Sequence, residues 1–319
     1  MLATGAALKL PIRIVEGFAD AVVNRLLDLD TDREVALALV PLGSTKRLTP
    51  DTAPAIEPLH LPTVPLSKTE VDYPAIRAMH TASTLTADEV LSWRGAFSAQ
   101  PAPSPTGRLF PLVPPSVHEH PDGGLEQVIR HRGSSRAFAL EAITFAQLSI
   151  MLQHATCGVP ADYLDPFGTT LTTLYLIVNA VDELPSGTYV FHGERNALEF
   201  LQEGNFRREA GYLGLEQELP ADASVNIFCL AELPPILERF GDRGYRAAQL
   251  EAAIIGGRIY LAAYGQRLGA TGLTFFDDDV TQFFAPHAAG KSALFLTAIG
   301  KPAKRQVGDT EMSSGAKER

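Results

Sequence analysis

The stretch "YRAAQLEAAIIGGRIYLAAYGQRLG", residues 245–269, decides the fold of this chain. Between Glu251 and Gln266 the only charged residue is Arg258, so the predicted helix is apolar on nearly all of its faces. Such a helix must be buried against several neighbours, within the domain or at a subunit interface. Gly256 and Gly257 each lower helix propensity by about 1 kcal/mol relative to alanine, which indicates close approach of another backbone or a ligand.

Helix-like and strand-like segments alternate around this helix from residue 123 onward, which predicts an α+β or α/β layer fold. Further helices are predicted at "GGLEQVIRHR" and "TFAQLSIMLQHAT". Strands are predicted at "TTLYLIVNAV", in a hairpin formed by residues 189–191 and 197–201, at "ASVNIFCLAEL" and at "SALFLTAIG".

The region before residue 123 differs in composition. Residues 44–122 contain thirteen of the 23 prolines, whose fixed φ angle and missing amide hydrogen disfavour a continuous helix or a central strand. We therefore predict a linker or wrapping arm. One short surface helix interrupts it at "TLTADEVLSW", with Thr86 as its N-cap.

An internal repeat relates residues 17–43 to residues 275–300. Phe18 aligns with Phe276 and Asp20 with Asp278, and both segments end in an apolar run followed by glycine. One interpretation is that the chain begins near the end of a first domain copy. The alternative is a shared, generic helix-to-strand pattern.

Composition excludes several classes of function. A net charge of -10 and a pI near 5.3 argue against nucleic acid as a partner, because phosphates require a basic surface. Cys157 and Cys229 lack the spacing of a zinc or redox motif, and no run is long enough to span a membrane, so a cytoplasmic location is expected. Dinucleotide-loop, P-loop, zincin and nucleophile-elbow motifs are absent, and we predict no metal site.

The segment "RGSSRAF", residues 132–138, concentrates positive charge in this acidic chain. Arg132, Ser134 and Arg136 alternate, so in an extended loop after the preceding helix they can converge on one phosphate or polyhydroxyl ligand. The alternative is a solvated helix end, where cations are favoured by the helix dipole.

Small residues follow the long helix in "LGATGLTFFDDD". They are expected to expose backbone amides at the helix end, and Asp277–Asp279 to cap the next helix rather than to bind a divalent cation. At the other end of the long helix, Gly241 and Gly244 would let backbone approach a flat ligand, with Tyr245 at the mouth.

These three stretches together resemble the nitroreductase-like flavoproteins. Within them they are similar to the SagB-type branch, which includes azoline dehydrogenases of thiazole and oxazole peptide biosynthesis. The resemblance covers about residues 123–305 and is most specific in "RGSSRAF" and in residues 241–279. It implies an α+β fold whose mainly antiparallel central sheet is flanked by helices, and a homodimer with FMN in its interface.

The resemblance also implies roles for individual residues. Arg132, Ser134 and Arg136 would hold the ribityl phosphate and ring edge of FMN, and Lys304 or Arg305 would add a phosphate contact. The remaining implied site residues are the backbone of Gly272, Leu273 and Thr274 beside the flavin ring, Gly168 near the flavin, and Tyr245 as a candidate proton donor.

Two departures from the family pattern bear on activity. The family's Pro-Ser-x-Gly segment appears as "DPFGTT", and the Lys-Tyr pair of azoline dehydrogenases is replaced by Arg239 and Phe240. Arginine is a poor general base, which weakens azoline oxidation as the specific reaction.

The expected organisation is a remnant of a first nitroreductase-like copy at 1–43, a proline-rich arm at 44–122, an FMN-binding domain at 123–305 and a disordered tail at 306–319. The expected function is that of an FMN-dependent oxidoreductase. It would transfer hydride through flavin N5 between a modified peptide or small organic substrate and an acceptor or donor such as a nicotinamide. The alternative is a non-catalytic scaffold or binding subunit of a peptide-modifying complex.

Overall fold

The computed structural model describes residues 1–43, 57–64, 67–95, 97, 104–114, 124–164 and 167–303. At their centre is a seven-stranded sheet in the order β1-β4-β3-β2-β5-β7-β6, in which every neighbouring pair is antiparallel. The strands are β1 (Leu109–Pro111), β2 (Thr172–Val178), β3 (Gly187–His192), β4 (Ala197–Glu203), β5 (Val225–Ala231), β6 (Gly269–Leu273) and β7 (Ser292–Gly300).

Eleven α-helices flank this sheet within the described residues. They are α1 (Leu2–Ala7), α2 (Asp20–Leu26), α3 (Pro74–Ala82), α4 (Ala87–Trp93), α5 (Leu125–His131), α6 (Phe145–Ala155), α7 (Arg207–Leu213), α8 (Glu218–Asp222), α9 (Leu233–Phe240), α10 (Arg243–Gly265) and α11 (Asp277–Phe283). The α+β class, the antiparallel sheet and the flanking helices predicted from the sequence are confirmed.

The predicted long helix is α10, and it is buried on several sides as expected. It packs against α6, α9, β6 and β7. Gly256 is buried in α10, and a Cβ there would overlap the ring of Phe295 on β7. Gly257 is exposed, and a Cβ there would contact nothing. The close approach inferred from the glycine pair therefore applies to Gly256 alone.

The predicted arm contributes to the main core. Thr86 and Glu89 form a capping box at the start of α4, so the predicted helix and its N-cap are confirmed. Trp93 at the end of α4 is buried, donates a hydrogen bond to the carbonyl of Phe240 at 2.9 Å, and packs on the Phe240 and Tyr163 rings. This part of the arm is anchored and does not act as a free linker.

Three elements were not predicted from the sequence, although the edge position of β1 agrees with the expectation that prolines exclude a central strand. The arm has a second helix, α3, which begins with Pro74 in its first turn, where the missing amide hydrogen costs nothing. It also supplies β1, an edge strand that tolerates Pro111. In addition, residues 269–273 form the edge strand β6, whereas the sequence analysis expected only exposed backbone amides at the end of the long helix.

The three aspartates before α11 also differ from expectation. Asp277–Asp279 fill the first turn of α11, the N-cap position is Phe276, and no side chain caps the helix by a hydrogen bond. Their stabilising contribution is therefore electrostatic, through the positive end of the helix dipole.

A buried ionic cluster fastens the N-terminal segment to α10. The Arg243 guanidinium is 1% exposed and donates to the Asp20 carboxylate at 2.7 Å and to the carbonyls of Glu16 and Ser83 at 2.7 and 2.9 Å. Burial raises the pKa of the Glu16 carboxyl to about 8, against the opposing effect of Arg243. One side chain thus joins residues 16–20, the arm and the long helix.

The predicted repeat is present only in its helical half. Helix α2 matches α11, but the apolar run after α2 forms two isolated bridges, between Val15 and Leu39 and between Ile12 and Leu42, and adds no strand to the sheet. The origin of residues 1–43 as a remnant of a first copy stays a prediction.

Gly256 and Gly257 provide a matched test of how α10 packs. Gly256→Ala should lower the free energy of unfolding by up to about 2 kcal/mol, because overpacking against Phe295 costs about 1–3 kcal/mol and helix propensity returns about 1. Gly257→Ala should raise it by up to about 1 kcal/mol. Urea unfolding of both variants measures the difference, and equal shifts would contradict this packing.

Candidate functional site

The segment at 132–138 is a loop that follows α5, as the alternation of its residues predicted. Its backbone is held against the edge of the sheet. The Ser135 N–H donates to the Ala270 carbonyl of β6 at 3.0 Å, and Phe138 forms an antiparallel bridge with Pro302. The loop therefore lies beside both β6 and the end of β7.

The side chains of Arg132, Ser134 and Arg136 are exposed, and that of Ser135 is half-buried. Ser134 Oγ lies 3.3 Å from the Tyr260 hydroxyl, and the Arg132 guanidinium lies over the Tyr260 ring, 5.8 Å from its centre. Neither Arg132 nor Arg136 has an ion-pair partner among the described residues, whereas Arg130 pairs with Glu126 at 2.9 Å. Two guanidinium groups and one hydroxyl are thus available to an anion.

The glycines of β6 permit the close contact between loop and strand. A Cβ at Gly269 would overlap Ser135 Oγ, and a Cβ at Gly272 would lie 3.2 Å from the ring of Phe295. The absence of side chains here serves packing against the loop and the core. The sequence led us to expect that these small residues expose their backbone amides, whereas Gly269 and Ala270 are buried and the Gly272 N–H donates to Tyr260.

Tyr260 connects α10 to both the loop and the strand, and Tyr264 connects it to the loop. The Tyr260 hydroxyl accepts a short hydrogen bond from the Gly272 N–H and also lies within reach of Ser134. One helical turn later, the Tyr264 hydroxyl lies 3.3 Å from Ser135 Oγ. Analysis of the sequence missed both tyrosines. Their spacing of four residues on one face of the helix, shortly before a Gly-x-x-Gly segment, is the signal that could have found them.

The predicted ring contacts lie at the end of β6. Gly272 and Leu273 are the last two residues of the strand and pair with Thr297 and Leu296, and Thr274 follows them in an exposed position. The structure therefore brings Gly272 next to the 132–138 loop through Tyr260.

The chain end also approaches this loop. The Ala139 N–H donates to the Lys301 carbonyl at 2.9 Å and the Ala303 N–H to the Ala137 carbonyl at 3.2 Å. The predicted phosphate ligands Lys304 and Arg305 lie outside the described residues.

Gly168 lies in a turn that precedes β2. Its φ of 101° is in the left-handed region that favours glycine, and a Cβ there would meet no other atom. The same connection is held by the Leu171 N–H, which donates to the Glu251 carboxylate of α10 at 2.8 Å. Glu251 is fully buried, and this burial raises its pKa to about 7, opposed chiefly by the Leu171 N–H.

The candidate proton donor Tyr245 is not brought to the other predicted residues within one chain. Its hydroxyl accepts a hydrogen bond from Gln249 at 2.9 Å, near the start of α10. Fifteen residues separate it from Tyr260, which corresponds to about 22 Å along the helix axis. Within one chain, Tyr245 is therefore too far from Gly272 to act on a flavin ring bound there. Its catalytic role stays a prediction.

The positions of the azoline dehydrogenase pair have structural roles. Phe240 is buried against Trp93 and Tyr163. Arg239 donates to the Arg94 carbonyl at 3.2 Å and lies over the Phe240 ring. Both side chains thus attach the arm to α9.

A cavity of about 720 Å³ lies between α2, α3 and the start of α4, and it shares no lining residue with the 132–138 loop or β6. In the described part of the chain, no group of three or more His, Cys, Asp or Glu side chains is placed to bind a metal ion. No described helix combines the length and apolar character needed to cross a membrane.

Comparison with known proteins identifies relatives over this region. The sequence model of the nitroreductase family matches residues 129–301, more than half of the chain. A protein of Methanocaldococcus jannaschii named "Putative nitroreductase MJ1384" is 25% identical over 164 residues, which are 50% of this chain and 82% of that protein.

Solved structures agree with this match. A crystal structure of "a putative nitroreductase" from Anabaena variabilis has a TM-score of 0.74 and 26% identity, covering 94% of this chain and 62% of that chain. This chain thus spans less than two thirds of the Anabaena protein. A second "putative nitroreductase", from Ralstonia eutropha, supports the fold alone, with a TM-score of 0.50 and 19% identity over 66% of this chain and 97% of that one.

Replacing Glu251 by glutamine tests the buried carboxyl. Between its ordinary pKa of 4.5 and the raised value of about 7, the folded chain keeps a proton that the unfolded chain releases. The free energy of unfolding therefore falls as the pH rises through this window. Glu251→Gln cannot ionise, so its unfolding temperature relative to the unmodified protein should be higher at pH 8 than at pH 5.

The exposed Glu126 provides the control for this experiment. Glu126→Gln should leave the pH dependence of the unfolding temperature close to that of the unmodified protein. If the Glu251→Gln and Glu126→Gln curves coincide, burial of the Glu251 carboxyl does not have the predicted effect.

Proposed function

Since this chain belongs to the nitroreductase family, we propose that it is an FMN-dependent oxidoreductase whose cofactor site lies between the 132–138 loop and the end of β6. The observation that carries this proposal is the juxtaposition of Arg132 and Ser134 with Gly272 through the single side chain of Tyr260. One end of this arrangement is cationic and the other presents a strand edge.

The loop suits the phosphate of FMN. Exposed guanidinium groups at Arg132 and Arg136 form charge-assisted hydrogen bonds with phosphate oxygens, and the Ser134 hydroxyl adds a donor. Lys304 or Arg305 would add a further cation, since the described chain reaches Ala303, whose N–H binds the loop at Ala137.

The strand edge suits the flavin ring. Main-chain groups of Gly272, Leu273 and Thr274 would lie beside the ring. The Gly272 N–H already donates to Tyr260, so an amide that stabilises charge developing on the ring would come from Thr274, beyond the end of the strand. FMN, when bound, would supply hydride transfer at N5 between a substrate C–H or a nicotinamide and a second acceptor. The chain's own contribution is to bind the cofactor, orient it and exclude water.

We further propose a homodimer with the flavin between its protomers. Apolar side chains next to the loop in the chain are exposed, Ile129 at 42% and Leu140 at 67%. Exposed apolar surface of this kind favours association with a partner. A second protomer would also be needed to bring a Tyr245 close to the ring.

The SagB-type branch is our finer proposal, with a modified peptide or a small organic molecule as substrate. It rests on the similarity of "RGSSRAF" and of residues 241–279 to that branch. Arg239 and Phe240 do not serve as the catalytic pair, because they hold the arm in place. Dehydrogenation by the azoline mechanism is therefore the less favoured reaction within this branch.

The packing roles of Arg239 and Phe240 also favour a second candidate function. A chain that keeps the fold but uses the Lys-Tyr positions for packing could serve as a non-catalytic binding or scaffold subunit of a peptide-modifying complex. The available guanidinium groups of the 132–138 loop favour the enzyme instead.

Flavin binding tests the proposal directly. The purified protein should absorb as a flavoprotein and release FMN on denaturation. Arg132→Ala and Arg136→Ala should each weaken FMN binding by about 1–3 kcal/mol, the contribution of a hydrogen bond to a charged group. Titration of flavin fluorescence measures this loss.

Arg130→Ala is the matched control, because Arg130 carries the same charge but is paired with Glu126. It should bind FMN nearly as well as the unmodified protein. A colourless protein that does not bind added FMN would favour the scaffold, and equal affinities in all three variants would remove the loop from the site.

A further inference from the structure

We infer that Tyr260 is a positioning residue that directs the hydroxyl hydrogen of Ser134 toward an anion bound at the 132–138 loop. The inference rests on the proposed FMN site and assigns a role to a residue outside the predicted set of ligands. Tyr260 is 9% exposed and contacts the loop at Arg132 and Ser134. Its proposed role is to orient Ser134, which requires no contact between Tyr260 and the phosphate.

The direction of the hydrogen bonds follows from Gly272. A backbone N–H can only donate, so the Tyr260 oxygen accepts from Gly272. The hydroxyl hydrogen of Tyr260 is then available for Ser134 Oγ, which lies 3.3 Å away. Either hydroxyl can donate across this contact, and the inference assigns the donation to Tyr260, because an oxygen that already accepts a hydrogen bond donates its own hydrogen more strongly. Ser134 then accepts, and its own hydrogen is left to donate elsewhere.

The Ser134 hydroxyl, which is the last donor in this series of hydrogen bonds, indicates the kind of ligand. Ser134 is exposed, and its neighbour Arg132 holds its guanidinium over the Tyr260 ring. A serine oriented as a donor beside a cation matches the oxygens of a phosphate group. Consecutive hydrogen bonds polarise one another, so the bond from Gly272 to Tyr260 strengthens donation by Ser134.

This arrangement links the two ends of the proposed site. Gly272 belongs to the strand edge proposed for the flavin ring, and Ser134 to the loop proposed for the phosphate. The Tyr260 hydroxyl contacts both Ser134 and Gly272, so it holds the loop and the strand edge at a fixed separation. One elongated ligand would have to span that separation. Removing that hydroxyl should affect the two ends together.

Tyr264 offers a matched control. It lies four residues from Tyr260 on the same helix, and its hydroxyl is also 3.3 Å from a serine of the loop, Ser135. No hydrogen bond joins it to Gly272 in the described chain, so its hydroxyl does not belong to the same directed series. Tyr264→Phe removes an equivalent atom without affecting the series of hydrogen bonds from Gly272 through Tyr260 to Ser134, which we call the relay.

The first measurement uses the protein without FMN. In Tyr260→Phe the Gly272 N–H loses its acceptor, so its amide hydrogen should exchange at least about tenfold faster, as expected on losing roughly one hydrogen bond. Tyr264→Phe should leave exchange at Gly272 unchanged. Equal exchange at Gly272 in the unmodified protein and Tyr260→Phe would overturn the inference.

The second measurement is a double-mutant cycle on FMN affinity. Tyr260→Phe and Ser134→Ala should each weaken FMN binding about tenfold. Because both act through the same donor, the double variant should also be about tenfold weaker, and not about a hundredfold. Tyr264→Phe loses its contact with Ser135 and not with Ser134, so its effect on FMN affinity should add to that of Ser134→Ala.

The outcomes separate the two levels of the proposal. If the unmodified protein fails to bind FMN, the proposed function is overturned, and the relay with it. If it binds FMN but the effects of Tyr260→Phe and Ser134→Ala are additive, or Tyr260→Phe has none, only the relay is overturned.

Discussion

The contact between the main chain of Ser135 and the outer edge of β6 is the constraint on which the candidate site depends. The Ser135 N–H bonds to Ala270, and the neighbouring Gly269 has no Cβ where Ser135 Oγ must lie. Any side chain at Gly269 would push the loop away from the strand. Because the loop lies so close, Ser134 and Gly272 come within reach of one tyrosine hydroxyl.

Helix α10 organises the molecule around this contact. At its start, Arg243 ties the N-terminal segment and the arm to the core, and in its middle Glu251 holds the connection before β2. At its end, Tyr260 and Tyr264 receive the loop. The helix is apolar over most of its surface because nearly every face packs against another element, and its few polar side chains fix the elements that surround the site.

Periodicity was sufficient to predict α10, most strands and the hairpin, because these elements follow from local apolar patterns. The edge strand β6 was missed because Gly269, Ala270 and Gly272 have low strand propensity, and pairing with β7 overrides it. The residues of the loop were predicted from their charge and spacing, but Tyr260 could not be. Its role depends on the chain turning back after α10, a tertiary contact that no local pattern encodes. For the same reason, the distance between Tyr245 and the loop became visible only in the structure.

The proposed site requires one ligand whose phosphate binds the loop while its ring reaches the end of β6. A crystal structure of the protein grown with FMN tests this most directly. The account predicts phosphate oxygens within hydrogen-bond distance of Ser134 Oγ and of the Arg132 or Arg136 guanidinium, with the flavin ring against the main chain at residues 272–274. Density for FMN elsewhere, for example in the cavity between α2 and α3, would contradict it.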